Sequence, residues 1–133
     1  MTDDFEQRLR RIEDERAVER LIASYGRLVD AGDADVAAMA RSDAHQGLIG
    51  RGSSHFLGPA VVTIDGDDAV AICESVLLVR RDQGDVAARA GANYFRLHRI
   101  DDRWQIVART TRTLDGGTEA RDLLADGVAG RAR

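Results

Sequence analysis

Asp30 and His55 are the two side chains whose types and setting best suit proton-transfer chemistry. Asp30 falls at the end of a helical stretch, beside the core-type Leu28 and Val29, with Gly32 as a helix stop two residues on. A carboxylate there meets the negative end of the helix dipole, an unfavourable place unless a donor compensates it. His55 opens the first strand-like stretch and is expected directly beneath that helix end. A carboxylate bonded to one imidazole nitrogen orients the ring and makes the other nitrogen the better proton acceptor. Each residue also has a plain structural reading. Asp30 can cap the Gly32 turn, and His55 can be a satisfied strand-end histidine.

Other chemistries find less support. His45 stands beside Gln46 on a second helical stretch, and His98 lies between Leu97 and Arg99 near a turn. Neither a His-x-x-x-His spacing nor a cysteine pair accompanies them, so no metal site is expected. A Gly-x-Ser-x-Gly elbow for a serine nucleophile is absent. The run Gly47-Leu48-Ile49-Gly50-Arg51-Gly52 follows a helical pattern and lacks a lysine, which rejects a phosphate loop. Lysine Schiff-base chemistry is excluded because the sequence contains no lysine. No cofactor is expected. Arg109 and Arg112 follow Trp104 on the last strand, and alternation sends them to opposite faces. One is expected to meet an anionic ligand or intermediate in a cavity, the other to pair with surface or interface carboxylates. Glu74, Asn93 and Tyr94 are mid-strand polar groups that can face that cavity or be satisfied structurally. Tyr25, Asn93, Tyr94, Trp104 and Arg109 form the candidate substrate-binding group.

The elements that must position these residues read as α+β. Residues 3–31 suit one long amphipathic helix, with Phe5, Leu9, Ile12, Val18, Leu21, Ile22, Tyr25, Leu28 and Val29 as a single apolar stripe. A second, weaker helical stretch covers 34–49. The pattern then turns to strands over 55–64, 69–80, 89–100 and 103–114. The first is kinked or on an edge at Gly58-Pro59, and Asp65-Gly66-Asp67-Asp68 signals a hairpin. Connections this short require antiparallel pairing. The second and fourth strands are apolar on both faces, so one face covers helices and the other needs its own cover. A homodimer or higher homo-oligomer through the sheet is the simplest cover. Residues 117–133 read as a mobile tail with a helical turn near Leu123-Leu124.

Composition frames these readings. The 133 residues fit one domain, and 44% hydrophobic with 32% charged residues is globular composition. A formal charge of −4 argues against nucleic acid as a main partner. No stretch approaches the roughly 20 apolar residues of a membrane span, and the start shows no signal peptide. The single cysteine, Cys73, suits a reducing cytoplasm.

These residues carry a resemblance. Ile12-Glu13-Asp14, Val18, Leu21-Ile22, Tyr25 and Val29-Asp30-Ala31-Gly32-Asp33 resemble the opening helix of the SnoaL-like branch of the nuclear transport factor 2-like superfamily. His55-Phe56-Leu57-Gly58-Pro59, followed by Val61-Val62-Thr63-Ile64-Asp65-Gly66-Asp67, is similar to the strand after that family's third helix. Tyr94-Phe95-Arg96-Leu97, Asp102-Arg103-Trp104-Gln105-Ile106 and Arg109 resemble its last hairpin. The resemblance implies a cone-shaped curved antiparallel sheet on N-terminal helices around a pocket, as in scytalone dehydratase, γ-hexachlorocyclohexane dehydrochlorinase, polyketide cyclases and Δ5-3-ketosteroid isomerase. In the dehydratase and dehydrochlorinase an Asp ending the first helix pairs with a His opening this strand, and Asp30 and His55 occupy those positions. Arg109 falls near a cavity arginine of the dehydrochlorinase. One departure stands out: after Asp33 the chain runs almost directly into Val36-Ala37-Ala38-Met39-Ala40-Arg41, which looks like a later helix. A short helix and a strand pair usual in the family are lacking there. Either one wall of the cone is lost or the natural chain carries residues there that this sequence lacks.

Two functions follow from this reading. One is a cofactor-independent lyase or isomerase, dehydratase- or cyclase-like, with His55 as general base and Asp30 orienting it, acting on a small apolar or polyketide-like molecule. The alternative is a non-catalytic ligand-binding or dimeric scaffold domain with the pair idle.

Overall fold

The structure, a computed structural model, describes residues 2–31 and 50–133. The helical stretch expected over 34–49, His45 included, lies outside them. The first helix, α1, spans Thr2–Asp30. Val18, Ile22 and Gly26 on it are buried, whereas Phe5, Leu9 and Ile12 are exposed. The expected single stripe is therefore two. A helix turns about 100° per residue, so the six-residue step from Ile12 to Val18 carries the apolar positions roughly 120° around the axis, onto another face. Only the second half of α1 faces the sheet core.

Five antiparallel strands follow: β1 (Ser53–Leu57), β2 (Val61–Asp65), β3 (Asp68–Arg81), β4 (Gly84–Ile100) and β5 (Arg103–Thr113). β1 and β2 lie end to end along one edge of β3, paired to its second and first halves respectively. The stretch read as one kinked edge strand is thus interrupted at Gly58-Pro59-Ala60. Pro59 has no N–H to give the ladder, although Gly58 N–H still donates to the Glu74 carbonyl at 2.8 Å. The Asp65–Asp68 hairpin forms as expected, with Gly66 in the left-handed region at φ 61°. Asp101 and Asp102, both at positive φ (51° and 61°), close the β4–β5 hairpin. Two consecutive positive φ values give the turn whose twist matches its flanking strands, and Asp tolerates them. β4 begins five residues earlier than the 89 expected, because exposed Asp85–Arg89 gave no alternation to read.

Two bulges curve the sheet. Ala88 is unopposed where Leu77 and Leu78 pair with Arg89 and Ala87. Val107 is unopposed where Arg96 and Leu97 pair with Ala108 and Ile106. An extra residue bends its strand and increases its twist.

Each face has a core. On the α1 side Val18 and Ile22 meet Ala69, Ala71, Cys73, Phe95 and Leu97. Burial pushes the Cys73 thiol up to about 11. On the other side Ile72, Ala92 and Tyr94 pack against Ala120 and Leu123 of a second helix, α2 (Thr118–Val128). The stretch expected to be a mobile tail is thus a helix docked on the sheet. It supplies part of the second-face cover that the strand pattern demanded. Gly127 permits the approach: a Cβ there would lie 2.4 Å from Ile72 Cβ. No described helix is long and apolar enough to cross a membrane.

Candidate functional site

Asp30 and His55 meet. The Asp30 Oδ1 lies 2.6 Å from His55 Nδ1, and Oδ2 accepts the His55 backbone N–H at 2.8 Å. Both carboxylate oxygens are thus held by one residue, which supplies the donors an acidic group at a helix C-terminus needs. The side chains are largely buried, 16% exposed for His55 and 22% for Asp30. In a neutral ring, a carboxylate against Nδ1 favours the tautomer with the proton on that nitrogen and Nε2 as the acceptor.

Gly26, one turn before Asp30, makes this contact possible. A Cβ at position 26 would lie 3.2 Å from both the His55 carbonyl oxygen and Leu57 Cδ1. Its bare backbone lets α1 settle onto β1. Sequence reasoning passed over it; the signal was a glycine inside a helix on the side of the acidic residue. The pair lines a cavity of about 190 Å³ with Ala23, Arg27 and Ser54.

A second polar group lies towards β5. Arg109 Nη1 donates to the Tyr25 hydroxyl at 3.0 Å and Nη2 to Asn93 Oδ1 at 2.8 Å. The same Asn93 oxygen accepts the Thr111 hydroxyl at 3.1 Å, while Asn93 Nδ2 donates to Ser75 Oγ at 2.8 Å. Asn93 is fully buried, so it anchors the guanidinium from behind. Tyr25, Arg109 and Thr111 line a cavity of about 490 Å³ over Phe95 and Ile106. Thr111 was missed, although it lies two residues from Arg109 on the same face. Arg112, on the other face as expected, approaches Glu119 of α2 at 3.7 Å.

Two expected binding residues lie elsewhere. Tyr94 alternates away from Asn93 and Phe95 to the α2 face, where it is buried and its hydroxyl donates to the Arg131 carbonyl at 2.6 Å. Trp104 belongs to a clamp near the middle of α1. Arg99 forks onto Asp14 at 2.9 and 2.7 Å and lies 4.6 Å over the Trp104 ring, whose N–H reaches Asp14 at 3.3 Å. The Arg99 hydrogen bonds hold the Asp14 carboxyl below its usual range. Trp104 therefore fastens α1 to the last hairpin. Glu74 is exposed, and His98 pairs with Asp68 at 2.7 Å near the surface. Among the described residues no three His, Cys, Asp or Glu side chains converge as a metal would require.

A helix laid on a curved antiparallel sheet, with a His–Asp pair where helix end meets first strand, defines an α+β cone of nuclear transport factor 2-like type. The SnoaL-like domain family matches residues 34–110, and the chain belongs to that family. A nuclear transport factor 2-like protein with a cystatin-like fold from Novosphingobium aromaticivorans is 33% identical, with TM-score 0.84 over 92% of this chain and 96% of that one. Two more distant structures come from the same organism. One is described as a candidate scytalone dehydratase (20% identity, TM-score 0.62, 85% and 88% covered). The other is described as a candidate aromatic ring hydroxylase (20%, TM-score 0.56, 77% and 90%). No curated protein matches the chain. The coverage shared with the first structure means that the two chains are of similar length.

Proposed function

We propose that the protein is a cofactor-independent lyase or isomerase in which His55 removes a proton from a small, largely apolar, polyketide-like substrate. The contact between Asp30 and His55 carries the reading. Nε2 takes the proton, and the electron pair left on carbon delocalises into the substrate. It then either expels a neighbouring leaving group or accepts the proton back at another carbon. The imidazolium formed in that step stands against the Asp30 carboxylate, which stabilises it and fixes its orientation. A structure bearing a dehydratase description shares the fold and suits this reading at the level of analogy. The test is deuterium wash-in, or water loss, from a panel of small cyclic ketones and polyketide-like hydroxyketones, read by mass spectrometry. His55→Ala is expected to slow turnover about 10²–10⁴-fold. A loss of about tenfold or less would contradict general-base catalysis.

One observation favours the alternative of a non-catalytic ligand-binding or scaffold domain with the pair idle. The pair's own cavity, about 190 Å³, is smaller than the roughly 300–1,000 Å³ of ordinary ligand sites. Absence of exchange across the whole panel, with ligand binding retained, is the result that reading expects. We further propose a homodimer through the part of the sheet that α2 leaves open, where Phe56 and Val76 pair across β1 and β3 and stand exposed. Light scattering that gives a monomer at micromolar concentration would contradict it.

A further inference from the structure

We propose that the cavity over Arg109 is a carboxylate site, shaped for a small planar acid with an apolar body. This inference stands apart from the proton-transfer reading, since neither Asp30 nor His55 lines that cavity. A guanidinium offers five N–H donors in a fixed fork. Here two go to neutral oxygens, the Tyr25 phenol and the Asn93 amide, and among the described residues Arg109 makes no ion pair. Contrast Arg99, whose charge is met by Asp14 and Asp67. Arg109, exposed on its strand, is thus a positive charge anchored by two neutral oxygens, with no counter-charge among the described residues.

Its surroundings say what would supply one. The Asn93 amide cannot turn over, because its nitrogen is committed to Ser75 and its oxygen to Arg109 and Thr111. The guanidinium carbon lies 5.1 Å from the Tyr25 ring centre and 5.6 Å from that of Phe95. Aromatic faces stabilise the cation and leave its edge as the place for an anion. The other lining residues, Ile106, Val107, Ala108 and Thr111, are uncharged. Among the described lining residues one cation stands in an otherwise neutral wall, which matches a singly charged, planar carboxylate taking the fork with two parallel bonds. A phosphate dianion would call for a second cation. At about 490 Å³ the cavity has room for an aromatic ring beside the carboxylate.

The test is calorimetric titration with benzoate, cinnamate and 2-naphthoate, each against its own amide as a neutral twin of the same shape. The acids are expected to bind at least about tenfold more tightly than the amides, and added salt should narrow the gap. Arg109→Gln should abolish the preference. Asn93→Asp tests the same idea with the arginine in place, since a carboxylate bonded to Arg109 would supply the missing counter-charge and remove acid binding. If Arg109→Gln does not fold, as judged by circular dichroism, Asn93→Asp decides. Equal binding of acid and amide, an acid preference that survives either variant, or no acid binding at about 10 mM would overturn the proposal. Because the titration reads binding without turnover, its failure leaves proton transfer by His55 untouched, and a failed exchange assay leaves the carboxylate site untouched.

Discussion

Replacing Gly26 by alanine sets two effects of known size against each other. Alanine inside a helix is favoured over glycine by about 0.8–1.0 kcal/mol, so at an unconstrained position the variant would be more stable. At position 26 the new methyl would lie 3.2 Å from the His55 carbonyl oxygen and 3.2 Å from Leu57 Cδ1. Carbon atoms prefer about 3.5–4.0 Å, and the His55 backbone is tied to β3 through its pairing with Leu77. The helix must therefore lift by a few tenths of an ångström. Overpacking of this kind costs about 1–3 kcal/mol, giving a net loss of roughly 0–2 kcal/mol. The lift also stretches the Asp30–His55 contacts of 2.6 and 2.8 Å one turn away. Urea unfolding would measure stability, and ¹⁵N NMR of the His55 ring would report the contact. A variant about 1 kcal/mol more stable than wild type, with unchanged His55 ring signals, would refute the argument that this glycine sets the helix-to-strand distance.

Other consequences follow from the same structure. Gly127→Ala puts a methyl 2.4 Å from Ile72 Cβ and should cost about 1–3 kcal/mol or displace α2; unchanged unfolding curves would speak against a docked C-terminal helix. Asp14→Asn weakens the Arg99 fork and is expected to cost on the order of 2 kcal/mol at neutral pH. Because Arg99 depresses the Asp14 pKa in the folded state, that contribution is complete above the unfolded value of about 3.9 and fades as pH falls through the folded value. Wild type and variant should therefore converge in stability under strong acid, which denaturant titrations at several pH values would show. Cys73, buried with its thiol pushed up to about 11, should resist thiol reagents at pH near 8 until the protein unfolds; rapid labelling of the native protein would contradict its burial.

How much of this was legible in the sequence depended on range. Turns announce themselves through a few adjacent residues, so Asp65-Gly66-Asp67-Asp68 and Asp101-Asp102 could be read directly, as could the interruption at Gly58-Pro59. The Asp30–His55 pair was legible because a helix stop and a strand start bracket it. The partition of α1 was not: spacings of three and four look continuous from Phe5 to Leu28, and only the six-residue step after Ile12 betrays the change of face. Tyr94 and Trp104 were misplaced for a related reason. Alternation separates Tyr94 from Asn93, but which face holds the cavity depends on where α1 and α2 dock, a long-range matter. The helix at Thr118–Val128 hid behind its glycines and exposed charges, with Ala120, Leu123 and Gly127 as its narrow buried edge.

Proton transfer by His55 depends on Asp30 holding its ring as a base, and the ring tautomer tests that most directly. In ¹⁵N-labelled protein, at a pH where the ring is neutral, two-bond proton–nitrogen correlations assign which nitrogen of His55 carries the hydrogen. Protonated Nδ1 with an unprotonated Nε2 in the wild type, and loss of that preference in Asp30→Ala, is the result expected from the 2.6 Å contact. A ring protonated at Nε2, or one indifferent to the removal of Asp30, would contradict it.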